Sequence, residues 1–177
     1  RFMQIQEELS ALSSKFNDNL LDATNAFSLF IENRDELAGI PEDVLQAARE
    51  AATKDTSITV PGWKFTLHAP SYLPVMQYAD NRSLRERMYR AYVTRASELE
   101  AVLEQTVNRD NMPLIEQMLR LRQEEARLLG YDCYAQVSLT PKMAETPQQV
   151  LDFLNELAAK ARPYAERDLA ELQQFAI

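Results

Sequence analysis

Hydrophobic residues recur every three or four positions from the first turn of the chain: Phe2, Ile5, Leu9, Leu12, Phe16, Leu20, Ala23, Phe27 and Phe30. This spacing lays one apolar stripe along a helix and predicts a long amphipathic helix to about Glu32. Burying each Leu or Phe contributes about 1.5–3 kcal/mol relative to exposure. A zipper-like interaction helix would show a similar stripe, but Asn17, Asn25 and Ser28 interrupt the flanking charges that such pairing needs. No capping residue precedes Phe2, so the pattern opens in mid-helix, as expected of a segment truncated from a longer chain.

Asn33 to Ile40 reads as a connector. Pro41, followed by Glu42 and Asp43, opens a shorter helix that should end near Lys54. The period then changes. Trp63, Phe65 and Leu67 alternate with Lys64, Thr66 and His68, as in a half-buried strand, and Pro61-Gly62 offers the residues of a type II turn. A hairpin between Ser57–Val60 and Trp63–Leu67 is therefore expected. After it, Ser71 should cap a short helix through Ala79, and Asn81 a second whose inner face carries Leu84, Met88, Ala91 and Tyr92. The stretch from Pro61 to Arg95 holds the only Trp, the only His and four of the seven Tyr, so many rings must pack around one strand-to-helix junction.

Glu98 to Val107 keeps a helical composition that Asn108-Arg109-Asp110-Asn111 breaks. The next helix, Met112 to Leu129, sets Leu114 or Ile115, Met118, Leu121, Glu125 and Leu128 or Leu129 along one side and is closed by Gly130. Asp132 should start a short helix through Leu139, which Thr140-Pro141 stops. Thr146, Pro147 and Gln149 form a capping box for the last helix, with Val150, Leu154, Leu157 and Ala161 on one face. Pro163 predicts a kink or break there, and Leu169, Leu172 and Phe175 continue the period to the end. The fold class that follows is mainly α: an antiparallel or irregular helical array with one short β-hairpin near residues 57–68. Residues 1–177 read as a single helical segment without a flexible linker.

Composition narrows the function. Apolar residues make up 46% and charged ones 26%, with only 3 Gly, which favours a packed helical protein over a disordered one. A net charge of −8 argues against binding a nucleic-acid backbone. Cys133, the single Cys, has no partner for an internal disulfide, and no apolar run reaches the length of a membrane span. The expectation is a cytoplasmic protein with neither nucleic acid nor membrane as partner.

Candidate chemistry is sparse. His68 can titrate near neutrality, but the alternation puts it on the polar side of the strand, with no second His or Cys at ligand spacing. Cys133 lies between Tyr131 and Tyr134 without an adjacent base, as a packed core thiol does. Glu124 with Glu125, and Glu98 with Glu100, read as solvated helix faces, because the Glu-x-x-His motif of di-iron bundles is absent. Arg82, Arg85, Arg87, Arg90 and Arg95 surround Tyr89 and Tyr92; interleaved Glu86 and Glu98 weaken this patch as a nucleic-acid site. No glycine-rich phosphate loop or GxSxG elbow occurs. No catalytic, cofactor-binding or metal-binding residue is assigned.

Three ordered blocks carry a resemblance: PSYLPVMQYADNRSLRERMYRAYVTRAS from Pro70, LRLRQEEARLLGYDCYAQVSL from Leu119 and KMAETPQQVLDFLNELA from Lys142. They resemble the zinc-dependent oligopeptidases of the thimet oligopeptidase family, peptidase family M3. That resemblance implies two helical lobes around a deep channel for short peptides, with zinc on an HExxH helix and a further glutamate ligand downstream. One His cannot supply both imidazoles of HExxH, so the chain would be a piece of the N-terminal lobe, inactive alone and binding no zinc itself. Its partners would be the missing catalytic lobe and, in the whole enzyme, short peptides. The alternative is an autonomous helical interaction module without enzymatic activity.

Overall fold

The computed structural model describes residues 1–99 and 109–176. Of the stretch Glu98 to Val107, read as helical in composition, Glu98 and Leu99 lie in a turn, and residues 100–107, Glu100 among them, lie outside the described residues. Among those described, the order is α1 (Phe2–Ala26), β1 (Leu29–Ile31), a 3₁₀ turn (Arg34–Leu37), α2 (Glu42–Lys54), β2 (Trp63–Phe65), α3 (Ala69–Tyr78), α4 (Arg82–Val93), α5 (Met112–Leu128), α6 (Tyr134–Leu139) and α7 (Pro147–Phe175). The fold is mainly α with one two-stranded antiparallel sheet. The chain divides into two compact units, Glu7–Met118, and Arg1–Gln6 with Leu119–Ile177.

The core of the first unit forms around the sheet. Leu29, Ile31, Leu37, Leu45, Trp63, Phe65, Leu67, Val75, Leu84 and Met88 are buried in one cluster. α2 reaches it with Leu45 and Ala48, one turn apart, and α4 with Leu84 and Met88. Asn81 caps α4 as expected, its side chain accepting from the Leu84 N–H at 3.2 Å.

The partner of the Trp63 strand differs from expectation. β2 pairs with β1 in the register Leu29↔Phe65, Phe30↔Lys64, Ile31↔Trp63, and not with Ser57–Val60. Two local contacts explain this. The Asp55 carboxylate accepts from the Ser57 N–H at 3.0 Å and its hydroxyl at 2.6 Å, and the Ile58 N–H reaches the Asp55 carbonyl, which winds 55–58 into a turn. Leu29 and Ile31, buried on either side of half-exposed Phe30, supply the alternation instead, so α1 ends at Ala26 and not near Glu32. Nor does Gly62 adopt the positive φ of a type II turn. Its lack of a side chain makes room: a Cβ there would meet the Phe30 ring and lie 2.6 Å from the Ile31 carbonyl oxygen.

α3 starts earlier than expected, at Ala69, with His68 at the cap position and no side-chain cap. Ser71 is engaged elsewhere, its hydroxyl accepting from the Thr66 N–H at 2.9 Å. The segment after α4 is tied to α1 by buried amides. Asn19 donates to Asn111 at 2.9 Å, and Asn111 donates to the Phe16 carbonyl at 3.1 Å. These bonds satisfy polar groups that would otherwise be costly to bury.

In the second unit, α5 ends at Leu128 and Gly130 follows with φ +83°. α6 starts two residues after Asp132. The Gln136 side chain reaches back to accept from the Asp132 N–H at 2.8 Å, and Gln123 donates to the Asp132 carbonyl at 2.9 Å. Thr146 caps α7, accepting from the Gln149 N–H at 3.1 Å, while the Gln149 side chain accepts from the Glu145 N–H at 2.9 Å. Of the kink or break expected at Pro163, the break does not occur: α7 runs unbroken for 29 residues. One missing N–H leaves the neighbouring hydrogen bonds of so long a helix intact.

Candidate functional site

The residues singled out in the sequence do not assemble into one centre. His68 is exposed at the start of α3, beyond the strand on which it was expected, and contributes its carbonyl to the Ser71 and Tyr72 N–H groups. Cys133 is half-buried at the cap position of α6 and so is not a core thiol. Glu124 faces solvent and receives two hydrogen bonds of 2.6 Å from Arg1, which hold its carboxyl below the usual range. Glu125 departs from the solvated-face expectation. It is 7% exposed, accepts from the Gln6 amide at 2.8 Å, and its second oxygen has no partner among the described residues. Its spacing of four from buried Leu121 places it on the inward side of α5, and the register prevails over the charge.

The basic-aromatic patch of α4 is the constellation that folding does bring together. The Tyr92 ring stacks on Tyr72 of α3, with centroids 4.2 Å apart and planes 12° from parallel. The Arg95 guanidinium carbon lies 3.7 Å from the centroid of Tyr92. Arg95 also donates to the Thr24 hydroxyl of α1 at 2.8 Å and to the Tyr92 carbonyl at 2.9 Å. Burial, and then the neighbouring tyrosines Tyr92 and Tyr89, raise the Tyr72 phenol above its ordinary value. Thr24 and Tyr72 are the members that sequence reasoning missed, because each comes from a different helix.

Beside this stack lies an open groove of about 460 Å³ lined by Met76, Arg82, Arg85, Glu86 and Tyr89. Arg85 closes the end of α3 by donating to the carbonyls of Ala79 and Asp80. Glu86 is held by Arg90 at 2.8 Å. Arg82 is exposed and has no ion pair among the described residues. The groove therefore presents one available guanidinium between a phenol ring and a thioether. That set can grip an anionic or apolar group, and its one carboxylate, Glu86, is engaged by Arg90.

The described residues contain no group of three or more His, Cys, Asp or Glu able to hold a metal, and the sequence has one His against the two that HExxH requires. Nor is any helix among them long and apolar enough to cross a membrane.

The described residues form a mainly helical framework with an open groove beside α4. Comparison with known proteins places it: the model of peptidase family M3 matches residues 75–177, and the chain belongs to that family. It is 51% identical to oligopeptidase A of Haemophilus influenzae over 99% of this chain and 25% of that protein. It is 48% identical to oligopeptidase A of Escherichia coli over the same shares. Against saccharolysin of Saccharomyces cerevisiae the identity is 32%, over 99% of this chain and 22% of that protein. The chain thus spans about a quarter of the length of the curated relatives it matches.

Proposed function

We propose that this chain is the non-catalytic portion of a zinc-dependent oligopeptidase that hydrolyses short peptides in the cytoplasm, and that it forms part of the substrate-channel wall. The observation that carries the reading is the 51% identity that runs through 99% of the chain yet covers 25% of an oligopeptidase. The single His supports assigning zinc to the remainder of the parent polypeptide, which is then the partner of this segment. Within the wall, the groove beside α4 suits a short peptide: Arg82 for a carboxylate, Tyr89 and Met76 for apolar side chains. The role of these residues is to position and to exclude, not to react.

Cleavage of a quenched fluorescent short peptide, with zinc added, tests this. The full-length gene product should turn the peptide over and lose that activity to a chelator, while the 177-residue chain should not. Chelator-sensitive turnover by the 177-residue chain overturns the reading.

A further inference from the structure

α7 contains no buried residue along its 29 positions. At 1.5 Å per residue it is about 43 Å long. Leu154, Leu157, Tyr164, Leu172 and Phe175 are 51%, 52%, 62%, 65% and 91% exposed. With Val150 and Ala161 they fall on one side, and Leu151, Phe153 and Leu169 widen the stripe to an arc of roughly 160° at the 3.6-residue repeat. The other side is polar and internally satisfied. Lys160 pairs with Glu156, Arg162 with Glu166 and Arg167 with Glu171, all at i,i+4, and Gln148 donates to Asp152 at 2.7 Å. Water suits one face of this helix and leaves the other without its natural surroundings.

We infer that the apolar face of α7 is an interface covered, in the intact protein, by the remaining part of the same polypeptide. The inference rests on the reading above that the chain is a portion of a longer peptidase. Eight large apolar side chains at half exposure or more expose on the order of 100 Å² apiece. Together they approach the roughly 800 Å² that one partner contributes to a stable interface, well beyond a scatter of surface leucines.

Three observations favour this occupant over a second copy of the chain. The family match extends through the whole of α7, so the helix belongs to the shared domain. The relatives are about four times as long, which leaves most of their fold to supply a cover. The stripe is also broader than the seam of a two-helix zipper and carries Asp168 near its middle. Asp168 is 66% exposed and meets Arg167 only at 3.5 Å, so the element covering α7 must bring a cation or other donor against it.

Maleimide labelling of introduced cysteines in a Cys133→Ser background tests the inference. In the full-length protein, Leu157→Cys on the stripe should react at least about 100-fold more slowly than Asn155→Cys on the polar face. In the 177-residue chain the two should react within about threefold of each other. Equal rates in the full-length protein overturn the inference. Protection of Leu157→Cys in the 177-residue chain also overturns it: if lost on dilution, the cover is a second copy, and if independent of dilution, it lies within this chain. Peptide turnover by the same full-length sample is read separately. Turnover with a freely labelled Leu157→Cys removes the interface alone, whereas protection without turnover removes the functional reading and leaves the interface standing.

Discussion

The Tyr72 and Tyr92 rings lie 4.2 Å apart, nearly parallel, and join α3 to α4 at the edge of the core. Tyr72 is 8% exposed and Tyr92 36%, so the pair forms the boundary between packed interior and surface. Arg95, against Tyr92, extends the contact to Thr24 of α1. Three helices distant in sequence thus meet through one ring. An aromatic pair contributes about 0.5–1.5 kcal/mol beyond area, and a cation–π contact about 0.5–1 kcal/mol. Tyr92→Ala should therefore lower stability by about 1–3 kcal/mol in urea unfolding, while Tyr92→Phe, which keeps both contacts, should stay within about 0.5 kcal/mol of the parent. Equal losses for the two substitutions would show that the hydroxyl, not the stack, matters.

Asp55 ties part of the acid stability to its carboxylate. Lys64 donates to it at 2.5 Å, and Ser57 donates through both its hydroxyl and its N–H. These donors, Lys64 foremost, hold the carboxyl far below its ordinary range. A group depressed in the folded state stabilises fully above its unfolded pKa of about 3.9 and loses that contribution as pH falls toward the folded value. Asp55→Asn should therefore lower the urea midpoint at pH 7. The gap to the parent protein should narrow progressively below about pH 4. A gap that stays constant from pH 7 to pH 2.5 would contradict this assignment.

Gly39 links the 3₁₀ turn to the end of α3. Its φ is +87°, and an added Cβ would collide with the Tyr78 carbonyl oxygen and sit 2.9 Å from the Asp80 carboxylate. The Asp80 N–H donates to the Ala38 carbonyl at 2.8 Å, so the two segments cannot part without losing that bond. Left-handed backbone costs an L-residue about 1–2 kcal/mol, and the clash adds to it. Gly39→Ala should destabilise by at least about 2 kcal/mol in urea unfolding, and a near-neutral result would show that the turn rearranges freely.

Local contacts are the legible part of this sequence. Asn81 with Leu84 and Thr146 with Gln149 are bonds between residues three apart, so their chemistry can be read without knowing the rest of the fold. The strand partner is not legible in the same way. Phe27 and Phe30 fit a helical period, Leu29 and Ile31 fit an alternating one, and only Phe65 and Trp63, far along the chain, decide between them. The basic-aromatic composition of α4 is plain in the sequence. Which arginine engages which ring is not, because Thr24 and Tyr72 come from other helices. Glu125 shows two sequence signals in conflict: its charge points to solvent, its spacing points inward, and the Gln6 amide makes the inward position tolerable.

Pro163 offers a test of how far α7 depends on itself. Proline has no N–H, so the Ala159 carbonyl loses its intrahelical donor, and the ring crowds that carbonyl. In a packed helix, neighbours can compensate for such a defect; in the 177-residue chain α7 buries no residue, and there its stability must come from its own hydrogen bonds, its side-chain pairs and the Thr146 cap. Pro163→Ala should then stabilise the middle of the helix by up to about 3 kcal/mol, which slows amide exchange near residues 159–167 by up to about 100-fold. Thr146→Ala should act in the opposite sense, loosening the first turn by about 1 kcal/mol. The two effects should also differ in place, one at the centre of the helix and one at its start. If Pro163→Ala leaves exchange near residue 159 unchanged, the centre of α7 is held by something other than its own backbone.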